Sequence, residues 1–263
     1  MNKGKLFMLP VPIADGVLND TLPEHTIQTA RELKFFLAEN AKSARAFLKF
    51  CGHPSPIASL SIEEIGHRPD SAKVRGWLKP ALEGNDIGIV SEAGCPGVAD
   101  PGAQIAAEAH KLGIRVVPLV GPSSILLALM ASGMDGQHFR FCGYLPIKEP
   151  ARTNAIKDLE RKSASSEGET QLFIETPYRN SGMLADLVKN CAPTTLILAA
   201  TDISGPEERI RAFAHSPQRI GKNRICRCRS SRRSSEFSAL SELVELSFER
   251  FHGPDNGVGL ISL

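Results

Sequence analysis

The sequence predicts an α/β fold built on parallel sheets, and three observations carry that expectation. DIGIV at 86–90 and IRVVPLV at 114–120 are short, almost uninterrupted apolar runs, the pattern of parallel strands covered on both faces. Between them AQIAAEAHKLG has helical periodicity, so the three segments make a βαβ unit. Both strands run into turns dense in Gly, Pro and Ser, where a ligand can approach the backbone. Open parallel sheets bind ligands beyond the carboxyl ends of their strands, which puts these two turns at one crevice. Taken alone, the same residues also serve as loop punctuation.

The remaining elements follow in chain order. KLFML at 5–9 reads as the first strand and PVPIADG at 10–16 as the turn after it. A helix is expected around 23–34, then a strand FFLAE at 35–39, with Glu39 and Lys42 on the turn that follows. These two charges either face the site or form an ion pair that staples the turn. SARAFLKF continues as helix, ASLSI as a short strand, and AKVRGWLKPALEG as the helix feeding the strand at 86–90. Asp100 suits the N-cap of the next helix, Pro101 its first position and Gly113 its stop. Pro122 or Ser123 opens the helix ILLALMASG, which Gly133 closes. A domain boundary is expected near Met134 to His138, giving domains at 1–135 and 136–222. FRFCGYLP, the helix RTNAIKDLERK, the strand QLFIE, the helix MLADLVKNC and the strand TTLILAATDI then alternate again. EERIRAFA reads as an antiparallel partner to the last of these.

The pair SEAGCPGVADPG and VPLVGPSS closely resembles the second and third motifs of the tetrapyrrole methylase superfamily, and within it the branch that methylates small-subunit ribosomal RNA. That branch typically carries S-D-A-G-T-P followed by S-D-P-G; here Glu92 replaces the Asp and Cys95 the Thr. The likeness extends over most of residues 5 to about 210, including AENAKSARAFL at 38–48 and IETPYRN at 174–180. The first motif departs, since a Gly-Thr-Pro turn is replaced by Pro10, Val11 and Pro12. The resemblance implies two α/β domains of tetrapyrrole methylase type with a cofactor cleft between them, and S-adenosylmethionine as cofactor. It implies cofactor contacts from Pro10, Ser91, Glu92, Gly94, Cys95, Val98, Ser123 and Ser124. Substrate contacts fall to Glu39, Tyr178 and Arg179, of which the last two also read as an exposed strand-end turn. It further implies a homodimer and an RNA acceptor, with a tetrapyrrole or other small molecule, or a non-catalytic binding protein, as the alternatives.

Composition sets outer bounds. The 263 residues, 42% hydrophobic, suffice for a sizeable core in one or two domains. No window approaches the roughly 20 apolar residues of a membrane span, and MNKGKLFML is too short for a signal peptide, so a cytoplasmic protein is expected. The six cysteines lack CxxC pairs and read as reduced thiols. The seven histidines show no HExxH or i,i+4 pairing, so no metal is expected, and no P-loop is present. The net charge of +2 hides an asymmetry: residues 209–235 hold nine Lys or Arg and no acid, leaving 22 basic against 29 acidic residues elsewhere. Such a segment suits RNA phosphates. From about residue 223 the Arg- and Ser-rich sequence departs from the superfamily's apolar strand, and reads either as frame-shifted or as a genuine basic tail. A frame-shift would remove the final strand and leave an open sheet edge.

Methyl transfer from a sulfonium is an in-line displacement that needs alignment and desolvation, with neither metal nor covalent nucleophile. Cys95 has no paired His nearby in sequence and is not expected to act as one. Glu92, Asp100 and Glu175 are the carboxylates within the motifs. No catalytic base is assigned among them.

Overall fold

The computed structural model describes residues 2–16, 18–165, 168–214 and, as backbone, 257–262. In chain order the elements are β1 (Lys5–Leu9), α1 (Leu18–Thr21), α2 (Glu24–Glu32), β2 (Phe35–Ala38), α3 (Ala41–Phe50), β3 (Ser61–Glu64), α4 (Val74–Trp77), α5 (Lys79–Leu82), β4 (Ile87–Val90), α6 (Ala103–Lys111) and β5 (Arg115–Pro118). They continue with α7 (Ser124–Ser132), β6 (Phe139–Tyr144), α8 (Ala151–Ser163), β7 (Thr170–Glu175), α9 (Asn180–Asn190), β8 (Leu196–Thr201), β9 (Arg209–Ala214) and β10 (Gly257–Ser262). The expected α/β alternation is present, and the elements form two compact units.

The first unit, residues 1–123 with 204–206, is built on a sheet of order β3-β2-β4-β1-β5 whose pairs are all parallel. Its strands alternate between two cores. Leu9, Phe36, Ala38 and Val90 pack with Ile27, Phe47 and Leu48 on one face, while Leu6, Leu37, Ile87 and Ile89 pack with Leu78, Ile105 and Ile114 on the other. Every residue of β4 is buried, as its apolar run requires. The single helix expected at 72–84 is broken into α4 and α5 at Leu78, just before Pro80. The third strand lies at Ser61–Glu64 rather than 58–62, because Ile57–Ser59 turn as a 3-10 helix.

The second unit, 124–203 with 207–263, carries a sheet of order β6-β7-β10-β8-β9, parallel except for the antiparallel β8–β9 pair. Helices α8 and α9 supply Ile156, Leu159, Met183 and Leu187 to a core with Phe173 and Ile197. The boundary expected at 134–138 falls inside this unit: α7 packs against β9, so the division lies between Ser123 and Ser124. The frame-shift reading of the segment from 223 lies, for residues up to 256, outside the described residues. Its corollary of a missing final strand is corrected, because β10 is present and sits between β7 and β8. Among the described residues no helix is long and apolar enough to cross a membrane.

Candidate active site

Three chain segments of the first unit meet beyond the carboxyl ends of β1, β4 and β5. Val11 and Gly94 form an isolated antiparallel bridge, Val11 N–H donating to Gly94 O at 3.0 Å and Gly94 N–H to Val11 O at 3.2 Å. The buried Ser91 hydroxyl donates to the same Gly94 carbonyl at 3.1 Å. Gly94 has φ +71°, and a Cβ there would lie 3.2 Å from Ile13 Cγ2 and 3.4 Å from Pro122 O. The Cys95 thiol donates to Pro122 O at 3.3 Å and is pushed up by burial first and the charge of Asp100 second, which makes it a structural tie rather than a nucleophile. Gly121 lies so close to Pro10 that its backbone and the Pro10 ring are in contact. Leu119 N–H extends the β1–β5 ladder to Met8 O, and the Thr26 hydroxyl holds Val120 O at 2.7 Å.

The structure thus brings Pro10, Ser91, Gly94 and Cys95 together with the 119–122 turn. Val98, at 49% exposed, and Val120, at 73%, provide apolar surface on the same loops. Gly94 and Val98 N–H groups are already used, by Val11 O and Cys95 O, so these residues shape the loop rather than offer donors. Ser123 ends the first unit, and Ser124 is buried at the start of α7 in the second.

A carboxylate cluster borders this cradle. Glu39 follows β2 directly, its N–H continuing the ladder to Val90 O at 3.2 Å, and its side chain is 5% exposed. One oxygen is bound by His67 Nδ1, and among the described residues Glu39 forms no ion pair with Lys42, so of the two alternatives the stapling pair is not met. The turn is instead fixed by Asn40, whose side chain accepts from the N–H groups of Lys42 and Ser43, and by Glu64, which accepts from Ala41 N–H at 2.9 Å. Glu92 accepts from the Ser43 hydroxyl at 3.0 Å. Asp100 is not a helix cap: α6 starts after Gly102, and no side chain caps it. Its carboxyl is pushed up to about 7, by burial first and then by Glu39 and Glu92. His67 is the member that sequence reasoning missed. The available signal was spacing, since His67, Glu39 and Glu92 each fall within a few residues of the end of a parallel strand.

In the second unit, Tyr178 is 85% exposed on the turn after β7. Arg179 is ion-paired with the buried Glu175, its Nε donating at 2.7 Å, while Thr176 N–H donates to the same carboxylate at 2.6 Å. Arg152 binds Asp186 at 2.7 Å. Tyr178, Arg179, Arg152 and Pro146 line a pocket of about 160 Å³ floored by Glu175.

The family model for Tetrapyrrole (Corrin/Porphyrin) Methylases matches residues 20–214. The Pseudomonas aeruginosa protein named ribosomal RNA small subunit methyltransferase I is 30% identical over 213 residues, covering 81% of this chain and 71% of its own. The proteins of that name from Escherichia coli O157:H7 and Bacillus subtilis are 28% and 33% identical, covering 80% and 67% of this chain and 68% and 56% of their own. The crystal structure of the methyltransferase CobJ superposes with a TM-score of 0.53 at 22% identity, over 80% of this chain and 86% of that one, which shows a shared fold. With most of its length matched by the family model, this chain belongs to the tetrapyrrole (corrin/porphyrin) methylase family.

Proposed function

We propose that the chain is an S-adenosylmethionine-dependent methyltransferase that methylates ribosomal RNA at a ribose 2′-oxygen. The observation that carries this reading is the closed loop 91–97, bridged to Val11 and tied to Pro122, at the carboxyl edge of a parallel sheet. The names of the relatives supply the acceptor class. The residues present fit the cofactor. Gly94, at φ +71°, holds a turn whose missing Cβ lets Ile13 and Pro122 close in around the loop, and Val98 and Val120 offer apolar surface to the cofactor.

Bound there, S-adenosylmethionine supplies an electrophilic methyl group. Pro10, Ser91, Gly94 and Cys95 hold the loop geometry, with Glu92 and Val98 at its rim and Ser123 and Ser124 following the second turn. Tyr178, Arg179 and Glu39 are assigned to the acceptor, the exposed phenol ring of Tyr178 offering a stacking face for a base. A homodimer and a cytoplasmic location belong to the same reading.

Calorimetric titration with S-adenosylmethionine and its demethylated product tests it. A saturable signal, abolished by Gly94→Val, is expected, followed by transfer of labelled methyl groups to small-subunit ribosomal RNA. Labelling of a porphyrinoid instead would move the acceptor to the tetrapyrrole class. Folded protein that binds neither cofactor nor product would reject methyl transfer.

A further inference from the structure

We propose that Glu39, His67 and Glu92 form a site for a first-row divalent cation such as Mn²⁺ or Zn²⁺. The sheet order β3-β2-β4 makes the three parent strands adjacent, and parallel pairing puts their carboxyl ends side by side. Glu39 directly follows β2, Glu92 lies just past β4, and His67 just past β3. One ligand atom from each lies within 4.8 Å of the other two. With bonds of about 2.0–2.2 Å, ligand atoms around a tetrahedral metal stand roughly 3.3–3.6 Å apart, so the hydrogen-bonded Glu39–His67 pair opens and the set adjusts by about an ångström to admit the ion.

The second observation is independent of that spacing. The Glu39 side chain is 5% exposed, yet no N–H or hydroxyl among the described residues donates to its Oε2, and Asp100 can hydrogen-bond to Glu39 only while it holds a proton that a cation would displace. A buried carboxylate oxygen is normally paired or coordinates a metal. Among the described residues neither Glu39 nor Glu92 forms an ion pair with a Lys or Arg; the one ion-pair partner of Glu39 is His67. Asp100 stands beside Glu39 in the same cluster. A dication offsets the charge of Glu39 and Glu92. One imidazole with two carboxylates favours Mn²⁺, Fe²⁺ or Zn²⁺ over Ca²⁺. The His67 side chain is 78% exposed, so the cation is reached without opening the fold and water completes its coordination on that side. Cation binding at this place does not rest on the methyltransferase reading.

The full-length chain, freed of any affinity tag and of metal with chelator, is titrated with Mn²⁺ while free Mn²⁺ is followed by electron paramagnetic resonance, and with Zn²⁺ by calorimetry. Saturable binding at one site is expected, weakened at least about tenfold by His67→Ala and by Glu92→Gln. Both residues are exposed, and circular dichroism checks that each variant is folded. His138→Ala, which removes an exposed His–Asp pair lacking a third ligand, should leave affinity unchanged. No saturable binding of either metal by folded protein at millimolar concentration overturns the proposal. So does undiminished affinity in both variants, which would leave a proton shared between Asp100 and Glu39 as what satisfies the cluster.

Discussion

Gly121→Ala tests whether the contact between the second turn and Pro10 shapes the cradle. Gly121 has no left-handed φ, so alanine brings no backbone strain, and its effect is the space its Cβ needs. That Cβ would stand 2.2 Å from Pro10 Cβ and 2.7 Å from Pro10 Cγ, with Leu22 Cδ2 at 3.3 Å. Carbon atoms prefer about 3.5–4.0 Å, so the ring must move by more than an ångström on the order of these figures. A flexible side chain would swing away; the Pro10 ring is fixed to its backbone and follows the buried Leu9. Overpacking of this kind costs about 1–3 kcal/mol. In a chain of this size each kcal/mol lowers the melting temperature by roughly 2–4 °C. Displacing Pro10 also pulls on the Val11–Gly94 bridge, so affinity for S-adenosylmethionine falls together with stability. Thermal melts and cofactor titration are measured on the same preparation. Pro10→Gly in the Gly121→Ala background removes both clashing carbons and should restore part of the loss. Gly182→Ala is the control: a Cβ there meets nothing within 4 Å, and alanine in α9 should raise stability by up to about 1 kcal/mol. Wild-type melting temperature and cofactor affinity in Gly121→Ala would refute the reasoning.

Asp100, with its carboxyl pushed up to about 7, binds a proton in the folded chain that the unfolded chain releases near pH 4. Its contribution therefore favours folding at low pH and is lost as pH rises from about 4 through 7. In chelator-treated protein, Asp100→Asn should melt above wild type at pH 8, with the gap closing toward pH 4; a constant gap would contradict the assignment. Arg179→Met leaves the Glu175 carboxylate buried at 2% exposure without its cation, while Thr176 N–H stays bonded. The expected loss is about 3 kcal/mol by urea denaturation, at the low end for a broken buried pair, and less than 1 would show the pair to be dispensable. Ending the chain at Ala214 removes β10 and separates the β6–β7 pair from β8–β9. Amides of β7 and β8 should then exchange faster while β1 and β4 keep their protection, and unchanged protection in β7 and β8 would show that β10 is not needed there.

The parts legible in the sequence were those decided by neighbours along the chain. Ile87–Val90 had to be a buried parallel strand because an uninterrupted apolar run has no polar face to show water, and all four residues are buried. Gly113 and Gly133 were readable as helix stops because a left-handed residue ends a helix locally, and both have positive φ. Asp100 misled for the same local reason. Its side chain suits an N-cap, but Gly97 N–H bonds Pro101 O and Gly102 takes φ +138°, so the chain turns once more before α6 begins and the carboxyl goes to the cluster instead. The domain boundary misled differently, since nothing within SILLALMAS says which sheet its apolar sides will cover. His67 was missed because no periodicity connects it to Glu39, 28 residues earlier. Their proximity follows from β3 pairing with β2 in parallel, in a register of Phe35 with Ser61. Parallel pairing converts like positions in successive βα units into neighbours, so in this fold the chemistry-bearing set is found by aligning the residues just past each strand end. Applied to this chain, that alignment yields the turn after Leu9, Glu39, His67, Ser91 with Glu92, and the 119–122 turn, which together bound the cradle.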